Sequence, residues 1–281
     1  EGTSNADFIK GNGQNNTLLG GAGNDTLYGV SANNILIGGA GSDTFRGGIG
    51  DNIIYGDSYA TLGGAGTESA FEISNSRDLI DFSDSGVPVT LNLSDSTSIN
   101  YINETSLTLD ARTSIGFGKN TIYNVEDVLG GSGADILIGS SANNVIDGGI
   151  GNDIIFGFGG TNTLIGGAGN DTILGLLGGD VIYGGTFDGA TASNSGLDWV
   201  DYSHITDTRA VNIDLSLGTV TQIGTPANFD SLTHIESAKG TKNDDTLKGD
   251  NAFDVVNSLF GYKGDDSFIV SKGSDYIDGG D

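Results

Sequence analysis

The chain has 281 residues, including 49 glycines, and its 11 basic and 37 acidic residues give a formal net charge of −26. It contains no cysteine, which excludes a disulfide scaffold, a thiolate metal site and a cysteine nucleophile. The acidic balance argues against nucleic-acid binding, and no apolar stretch reaches the ~18 residues that a membrane span requires.

The chain begins with a regular repeat. Residues 2–55 divide into six units of nine, each opening with glycine: GTSNADFIK, GNGQNNTLL, GGAGNDTLY, GVSANNILI, GGAGSDTFR and GGIGDNIIY. We therefore predict a first array over residues 1–55. Residues 56–129 break the period and form a first spacer, whose alternating apolar residues are typical of strands.

A second array of six units follows over residues 130–183, and a second spacer covers residues 184–239. The spacers resemble each other, since Asp78-Leu-Ile-Asp-Phe-Ser matches Asp198-Trp-Val-Asp-Tyr-Ser. Both are expected to continue the repeat architecture with larger coils, or to pack as hairpins on its flank. Residues 240–281 form a third, truncated array, read as two nines, an insert at Ser258–Phe260, and two more nines.

Each unit contains one turn and one short strand. Six residues rich in Gly, Asn and Asp favour a turn, because Gly and Asn tolerate positive φ. The x-apolar-x triplet that follows is a minimal strand, whose middle residue at the eighth place is apolar in every unit. Such strands can bury these side chains only by stacking. The predicted core is Ile9, Leu18, Leu27, Leu36, Phe45, Ile54, Leu137, Ile146, Ile155, Leu164, Ile173, Ile182, Leu247, Val256, Phe268 and Ile277.

The units GGAGNDTLY (20–28) and GGAGNDTIL (166–174) resemble the glycine-rich nonapeptide GGxGxDxUx of RTX proteins. The resemblance implies an all-β fold, a right-handed parallel β-roll in three arrays joined by β-rich spacers. It also implies multiple calcium ions in the turns. Family members are exported by type I secretion and fold outside the cell, so the resemblance implies a bacterial secreted or cell-surface protein.

The resemblance also implies a ligand set. One turn contributes the carbonyls of its second and fourth places and its sixth-place Asp, and the turn two units later contributes the carbonyls of its first and third places and its Asp. Carried over, the four cages are Thr3, Asn5, Asp7 with Gly20, Ala22, Asp25; Gly21, Gly23, Asp25 with Gly38, Ala40, Asp43; Gly131, Gly133, Asp135 with Gly148, Ile150, Asp153; and Gly149, Gly151, Asp153 with Gly166, Ala168, Asp171. Further candidate ligands are Asp180, Asp245, Asp254, Asp266 and Asp275.

Asp and Asn alternate at the sixth place. The first array reads Asp7, Asn16, Asp25, Asn34, Asp43 and Asn52, and the second reads Asp135, Asn144, Asp153, Asn162, Asp171 and Asp180. Because alternate units stack, we hypothesise that calcium binds along one edge of the roll, while an Asn ladder holds the other through amide hydrogen bonds. In the alternative, Asn ligates through its carbonyl oxygen and both edges bind calcium; Asn52 is the most favourable position for this.

No catalytic signature is present. The chain lacks HExxH and GxSxG, and its two histidines, His204 and His234, lie in the spacers. We therefore expect a non-enzymatic, calcium-binding structural segment of a large RTX protein, such as a surface layer, extracellular filament or adhesin stalk. Its expected partners are calcium and further copies or flanking segments of the same protein, since neither end carries a polar cap. The alternative is a secretion and folding module of an exported protease, lipase or epimerase.

Overall fold

The computed structural model describes residues 1–57, 77–94, 98–101, 105–108, 113–116, 118–176, 178–187, 196–205, 207–250, 256–272 and 274–281. These residues form 28 strands joined by turns. In this part of the chain, no helix is long and apolar enough to cross a membrane. The all-β parallel roll expected from the sequence is confirmed by two long, mostly parallel sheets of 13 strands each.

The two sheets face each other across the core. In spatial order, sheet A contains β1 (Phe8–Lys10), β3 (Thr26–Tyr28), β5 (Thr44–Arg46), β7 (Leu79–Asp81), β13 (Asp127–Leu129), β15 (Val145–Asp147), β17 (Thr163–Gly167), β19 (Val181–Gly185), β23 (Thr225–Thr233), β22 (Thr219–Gln222), β21 (Val211–Asp214), β25 (Thr246–Lys248) and β27 (Ser267–Ile269). Sheet B contains β2 (Thr17–Ala22), β4 (Ile35–Ala40), β6 (Ile53–Tyr55), β12 (Asn120–Tyr123), β11 (Thr113–Ile115), β8 (Thr90–Asn92), β14 (Ile136–Ile138), β16 (Ile154–Phe156), β18 (Thr172–Leu174), β20 (Trp199–Asp201), β24 (Ser237–Lys239), β26 (Ser258–Phe260) and β28 (Tyr276–Asp278). A separate hairpin joins β9 (Ser98–Tyr101) and β10 (Thr105–Thr108).

Successive units alternate between the sheets, so each strand pairs in parallel with the strand two units later. Leu27 pairs with Ile9 on one side and with Phe45 on the other. The eighth-place side chains therefore form one narrow core. Leu27, Phe45 and Ile155 are fully buried, whereas Ile277 on the outermost strand of sheet B is 37% exposed.

The spacers continue both sheets. In the first spacer, β6 pairs in parallel with β12 and β8 pairs in parallel with β14, while β11 lies antiparallel between β12 and β8. In the second spacer, β21, β22 and β23 form an antiparallel meander within sheet A. The two options left open by the sequence are thus combined, because hairpin strands are built into the enlarged coils.

The third array requires a correction. Ser258–Phe260, read as an insert, is strand β26, and Leu259 is fully buried. Val256, predicted to lie in the core, is 52% exposed. The extra three residues lengthen the preceding turn, so that Asn257, and not Asp254, stands directly before the strand. Asp254 itself lies outside the described residues.

Candidate metal centres in the turns

Glycine is required where the turns bend. At the second and fourth places, Gly21 and Gly23 have φ of 117° and 104°, and Gly149 and Gly151 have φ of 94° and 151°. These values lie in regions that side chains rarely adopt. A Cβ on Gly151 would also collide with the carbonyl oxygen of Gly133 in the neighbouring turn. Backbones of stacked turns can therefore approach closely only because these positions are glycine.

A ladder of carboxylates joins the stacked turns. The N–H of Asp7 donates to Oδ1 of Asp25 at 2.8 Å, and the N–H of Asp25 donates to Oδ1 of Asp43 at 2.7 Å. In the second array, Asp135 donates to Asp153 at 2.7 Å, and Asp153 donates to Asp171 at 2.8 Å. Each sixth-place carboxylate thus uses one oxygen to hold the preceding turn.

The other oxygen of most of these carboxylates has no partner. Within the described part of the chain, Oδ2 is buried and makes no hydrogen bond in Asp25, Asp43, Asp153, Asp171, Asp180, Asp198 and Asp266. Burial raises the pKa of Asp153 to about 8, with the neighbouring charges of Asp171 and Asp135 adding to the shift. Burial likewise raises the pKa of Asp43 and of Asp171 to about 6. Buried carboxylates left unpaired are costly, which indicates that a cation belongs beside them.

These oxygens converge with backbone carbonyls. A Cβ on Gly20 would meet both Oδ2 of Asp25 and the carbonyl oxygen of Gly38. A Cβ on Gly148 would meet Oδ2 of Asp153 and the carbonyl oxygen of Gly166, each at 2.5 Å. In the ligand set that the resemblance implies, Asp25 and Gly38 share one cage, and Asp153 and Gly166 share another. The structure places the two oxygens of each pair close together.

The remaining carbonyls in these cages take part in turn-to-turn hydrogen bonds. The Ala40 carbonyl accepts from the N–H of Gly23 at 2.8 Å, and the Ala168 carbonyl accepts from Gly151 at 2.8 Å. A carbonyl oxygen has two lone pairs, so each retains capacity for a second donor or a cation. No group of three or more His, Cys, Asp or Glu side chains forms a metal cluster among the described residues. A cation here would therefore be held by two carboxylates and backbone oxygens.

The sequence of the turns matches a known family model, the RTX calcium-binding nonapeptide repeat, at residues 1–31, 28–58, 129–157, 156–189 and 256–281. These segments cover more than half of the chain. The chain belongs to the RTX calcium-binding repeat family. A search of curated proteins found no match. The predicted resemblance is confirmed, and the segment is a calcium-binding β-roll.

The donor set of the RTX turns fits calcium. Calcium prefers six to eight oxygen ligands, from carboxylates and backbone carbonyls, at about 2.3–2.6 Å. Asp25 and Asp153 are best placed to hold an ion, because each has a buried, unpaired oxygen facing a carbonyl of the next turn. A calcium ion held in such a cage would supply the positive charge that neutralises its two carboxylates.

In the first turn of each RTX array, the sixth-place carboxylate accepts hydrogen bonds from its own turn. Oδ2 of Asp7 accepts from the N–H of Thr3 at 2.6 Å, and Oδ2 of Asp135 accepts from the N–H of Gly131 at 2.8 Å. In the third array, Asp245 is bonded by the N–H and hydroxyl of Thr241. Calcium binding in the cages predicted for Thr3, Asn5 and Asp7, and for Gly131, Gly133 and Asp135, would therefore compete with internal hydrogen bonds. The ligand roles of these residues stay predictions.

In the turns with Asn at the sixth place, the side-chain amide group occupies the position that the unpaired carboxylate oxygen has in the Asp turns. Nδ2 of Asn52 donates to the carbonyl oxygen of Gly50 at 3.0 Å and to Oδ1 of Asn120 at 2.8 Å. Nδ2 of Asn34 donates to the Ala32 carbonyl at 3.0 Å and to Oδ1 of Asn52 at 2.9 Å. These amide protons satisfy the turn carbonyls that would otherwise face a cation. This favours the Asn ladder over the alternative in which Asn52 ligates calcium.

Asp180, the carboxylate out of step in the second array, also has a buried Oδ2 without a hydrogen-bond partner among the described residues, but its ladder continues to Asp230. Its Oδ1 accepts from the N–H of Asn162 at 2.7 Å, and its own N–H donates to Oδ1 of Asp230 at 2.9 Å. Asp230 also accepts from the hydroxyl of Tyr202 at 2.6 Å.

In the third array, Asp266 follows Asp245 in a carboxylate ladder, whereas Asp275 is bonded by the N–H and hydroxyl of Ser271.

The acidic ladder extends beyond the nonapeptides, which the sequence reading missed. The N–H of Asp43 donates to Oδ1 of Asp78 at 2.7 Å, and the N–H of Asp78 donates to Oε2 of Glu126 at 2.9 Å. In the second spacer, Asp171 donates to Asp198 and Asp198 donates to Glu236, both at 2.9 Å. The available signal was the duplicated spacer motif, in which these acids occupy matching places.

At each spacer, the acidic residues also change from one edge of the roll to the other. In the first array the sixth-place Asp residues precede strands of sheet A, whereas in the second array Asp135, Asp153 and Asp171 precede strands of sheet B and Asp180 precedes β19 of sheet A. The exchange occurs where two consecutive units are both acidic, at Glu126 and Asp135, and it reverses at Glu236 and Asp245. The separation of Asp and Asn edges therefore holds within the first array and most of the second, but neither edge is acidic along the whole molecule.

Proposed function

We propose that this β-roll is a structural segment of a large bacterial protein that is secreted or displayed at the cell surface, and that it folds outside the cell when it takes up calcium. The observation that carries the proposal is the row of buried carboxylate oxygens without partners, within a chain of net charge −26. Without calcium these groups oppose folding. With calcium they join successive coils.

The affinity of such sites suits an extracellular switch. Extracellular calcium modules bind with Kd of about 10⁻⁴–10⁻³ M, so cytosolic calcium leaves them empty. At roughly a hundredfold excess of calcium over Kd, each site adds about 2.7 kcal/mol to the stability of the folded state. A chain that stays unfolded before export and folds afterwards follows from this difference in calcium concentration.

A structural rather than catalytic role is supported by the continuity of the roll. Thirteen strands at a spacing of about 4.8 Å make each sheet about 58 Å long, and both sheets run through the spacers. One of the two histidines of the second spacer, His204, is also part of the packing. His204 is 7% exposed, its ring packs edge-on against Phe156 at 5.2 Å, and burial lowers its pKa to about 4.

Further copies or flanking segments of the same protein are the proposed partners. The outermost strands β1 and β28 each have one edge without a neighbouring strand in the described sheets. Phe8 on β1 is 67% exposed and Tyr276 on β28 is 56% exposed. Open strand edges with exposed apolar side chains are favourable sites for pairing with another chain segment.

Two measurements test the proposal. Circular dichroism during a calcium titration of the metal-free segment should show a change from coil to β structure, with magnesium as the control because it prefers smaller octahedral sites. Light scattering and electron microscopy in calcium should then show ordered assemblies. A calcium-loaded segment that stays monomeric would instead favour a folding module of an exported enzyme, and β structure that persists without calcium contradicts the switch.

A further inference from the structure

Each spacer repeats the oxygen arrangement of the nonapeptide turns. Where the first array meets the first spacer, a Cβ on Gly38 would meet Oδ2 of Asp43 and the carbonyl oxygen of Gly56, the latter at 2.5 Å. One coil further, within the spacer, a Cβ on Gly56 would meet Oδ2 of Asp78 and the carbonyl oxygen of Asn124. The same pairing of one carboxylate oxygen with one carbonyl therefore recurs at the junction and once more inside the spacer.

The second spacer shows the same arrangement independently, on the opposite edge of the roll. A Cβ on Gly166 would meet Oδ2 of Asp171 and the carbonyl oxygen of Gly184. A Cβ on Gly184 would meet Oδ2 of Asp198, at 2.6 Å, and the carbonyl oxygen of His234. Oδ2 of Asp198 belongs to a fully buried residue and has no hydrogen-bond partner among the described residues.

Local geometry explains why each ladder ends in glutamate. The turn before β13 has only three residues, Asn124 to Glu126, and the turn before β24 likewise has three, His234 to Glu236. Asn124 and His234 both adopt positive φ, 51° and 54°, which folds the shortened turn back. The longer side chain of Glu reaches the N–H of Asp78 or Asp198 from this tighter turn.

Charge supports the same reading. Asp78 is 4% exposed and lies next to the carboxylates of both Asp43 and Glu126. Asp78 therefore lies between two other acids of the ladder, and a dication beside it would balance two negative charges.

We propose that both spacers bind calcium themselves, between Asp43 and Asp78, between Asp78 and Glu126, between Asp171 and Asp198, and between Asp198 and Glu236. The carbonyl oxygens of Gly56, Asn124, Gly184 and His234 complete these sites. The acids Asp78, Glu126, Asp198 and Glu236 lie outside the segments that match the family model. The proposal rests on calcium binding by the roll and extends it across the junctions between arrays.

Calcium counting on matched variants tests the proposal. Asp78→Asn and Asp198→Asn each remove a carboxylate shared by two sites, so each variant should retain fewer ions per chain than the wild type after dialysis in calcium. The controls are Asp81→Asn and Asp201→Asn, which change buried acids three residues further along the chain, at the ends of β7 and β20. These controls should keep the wild-type ion count.

Anomalous scattering from wild-type crystals grown in calcium provides a readout that does not depend on any variant folding. Peaks beside Gly56 and Gly184 are expected. Peaks confined to the nonapeptide turns, or wild-type ion counts in Asp78→Asn and Asp198→Asn, would overturn the spacer sites while leaving the calcium-binding arrays intact. A wild-type chain that takes up no calcium would instead contradict the calcium-binding roll itself.

Discussion

The backbone N–H of Asp171 donates a 2.9 Å hydrogen bond to Oδ1 of Asp198. Asp171 lies in the second array, and Asp198 lies in the second spacer. The two residues are 27 positions apart, against 18 for neighbours within an array. The intervening residues are thus accommodated without breaking the ladder. A coil can therefore take an insertion in its turn while its strand and its sixth-place acid keep their places.

Replacing a ladder carboxylate should separate calcium binding from metal-free stability. In Asp153→Asn, the new amide can donate to turn carbonyls as Asn52 does, and it removes a buried charge. We expect the metal-free folding equilibrium to shift toward the folded state by about 1–3 kcal/mol, while calcium affinity decreases. The β content measured by circular dichroism without calcium, and a calcium titration, report the two effects.

The matched control for this change is Asp135→Asn, because Oδ2 of Asp135 is already bonded to the N–H of Gly131. It should show a smaller gain in metal-free stability than Asp153→Asn. Equal gains in the two variants, or a loss of metal-free stability in Asp153→Asn, would contradict the assignment of Asp153 as an unpaired buried charge.

Acid should partly replace calcium. Burial raises the pKa of Asp43 to about 6, of Asp198 to about 7 and of Asp153 to about 8, whereas the unfolded value is near 3.8. A raised folded-state pKa contributes stability that is fully present below about pH 4 and is lost as the pH rises through 6 to 8. In metal-free buffer the fraction of folded β structure should therefore be higher at pH 5 than at pH 8.

In calcium the dependence should weaken or reverse, because protons compete with the ion for the same carboxylates. Circular dichroism at the two pH values, with and without calcium, measures both series. A metal-free β content that does not change, or that falls on acidification, would contradict the raised pKa values.

Val30 stands in an unfavourable backbone conformation. Its φ is 74°, in a turn of the Asn side where the Asp-side turns have glycine at the equivalent place. A β-branched residue at positive φ stores strain of about 1–3 kcal/mol. Val30→Gly should therefore increase the free energy of unfolding by about 1 kcal/mol, even though glycine gains entropy in the unfolded chain.

Val145→Gly is the matched control, since Val145 lies in strand β15, where glycine is unfavourable. It should decrease the free energy of unfolding by about 0.5 kcal/mol or more. Denaturant unfolding in calcium compares the two variants. If both changes destabilise the protein to the same extent, Val30 is not strained.

The core and the turns should respond differently to truncation within one unit. Ile155 is fully buried between the sheets, whereas Ile150, five residues earlier in the same turn-strand unit, is 62% exposed. Ile155→Ala should cost about 2–5 kcal/mol of unfolding free energy, and Ile150→Ala should change it by less than about 0.5 kcal/mol. Calcium-loaded protein should be used, so that both variants start from the folded roll.

The nine-residue period was sufficient to predict the parallel stacking and the core, because each strand pairs locally with the strand two units away. Spacer topology could not be predicted, since the antiparallel placement of β11 between β8 and β12 depends on partners far apart in the sequence. The third array was misread because Val256 and Leu259 are both apolar, and the period alone does not show which side of the strand carries the insertion.

A second ladder also escaped prediction. At the fifth place, the N–H of Ser42 donates to Oδ1 of Asn24 at 3.1 Å, and the N–H of Asn170 donates to Oδ1 of Asn152 at 2.9 Å. These bonds join neighbouring coils on the exposed side of the turns, next to the sixth-place carboxylates. The fifth place of these turns is polar, but it is Asn in some turns and Ser in others. The sequence alone therefore did not reveal the ladder.

The exchange of edges at Glu126 and at Glu236 has a mechanical consequence. Ions that drew turns together along a single side would make that side shorter than the other, and the molecule would curve toward it. If calcium fills the acidic turns, the loaded side alternates along the axis and successive bends would oppose one another. We therefore expect calcium to stiffen the roll without curving it to one side.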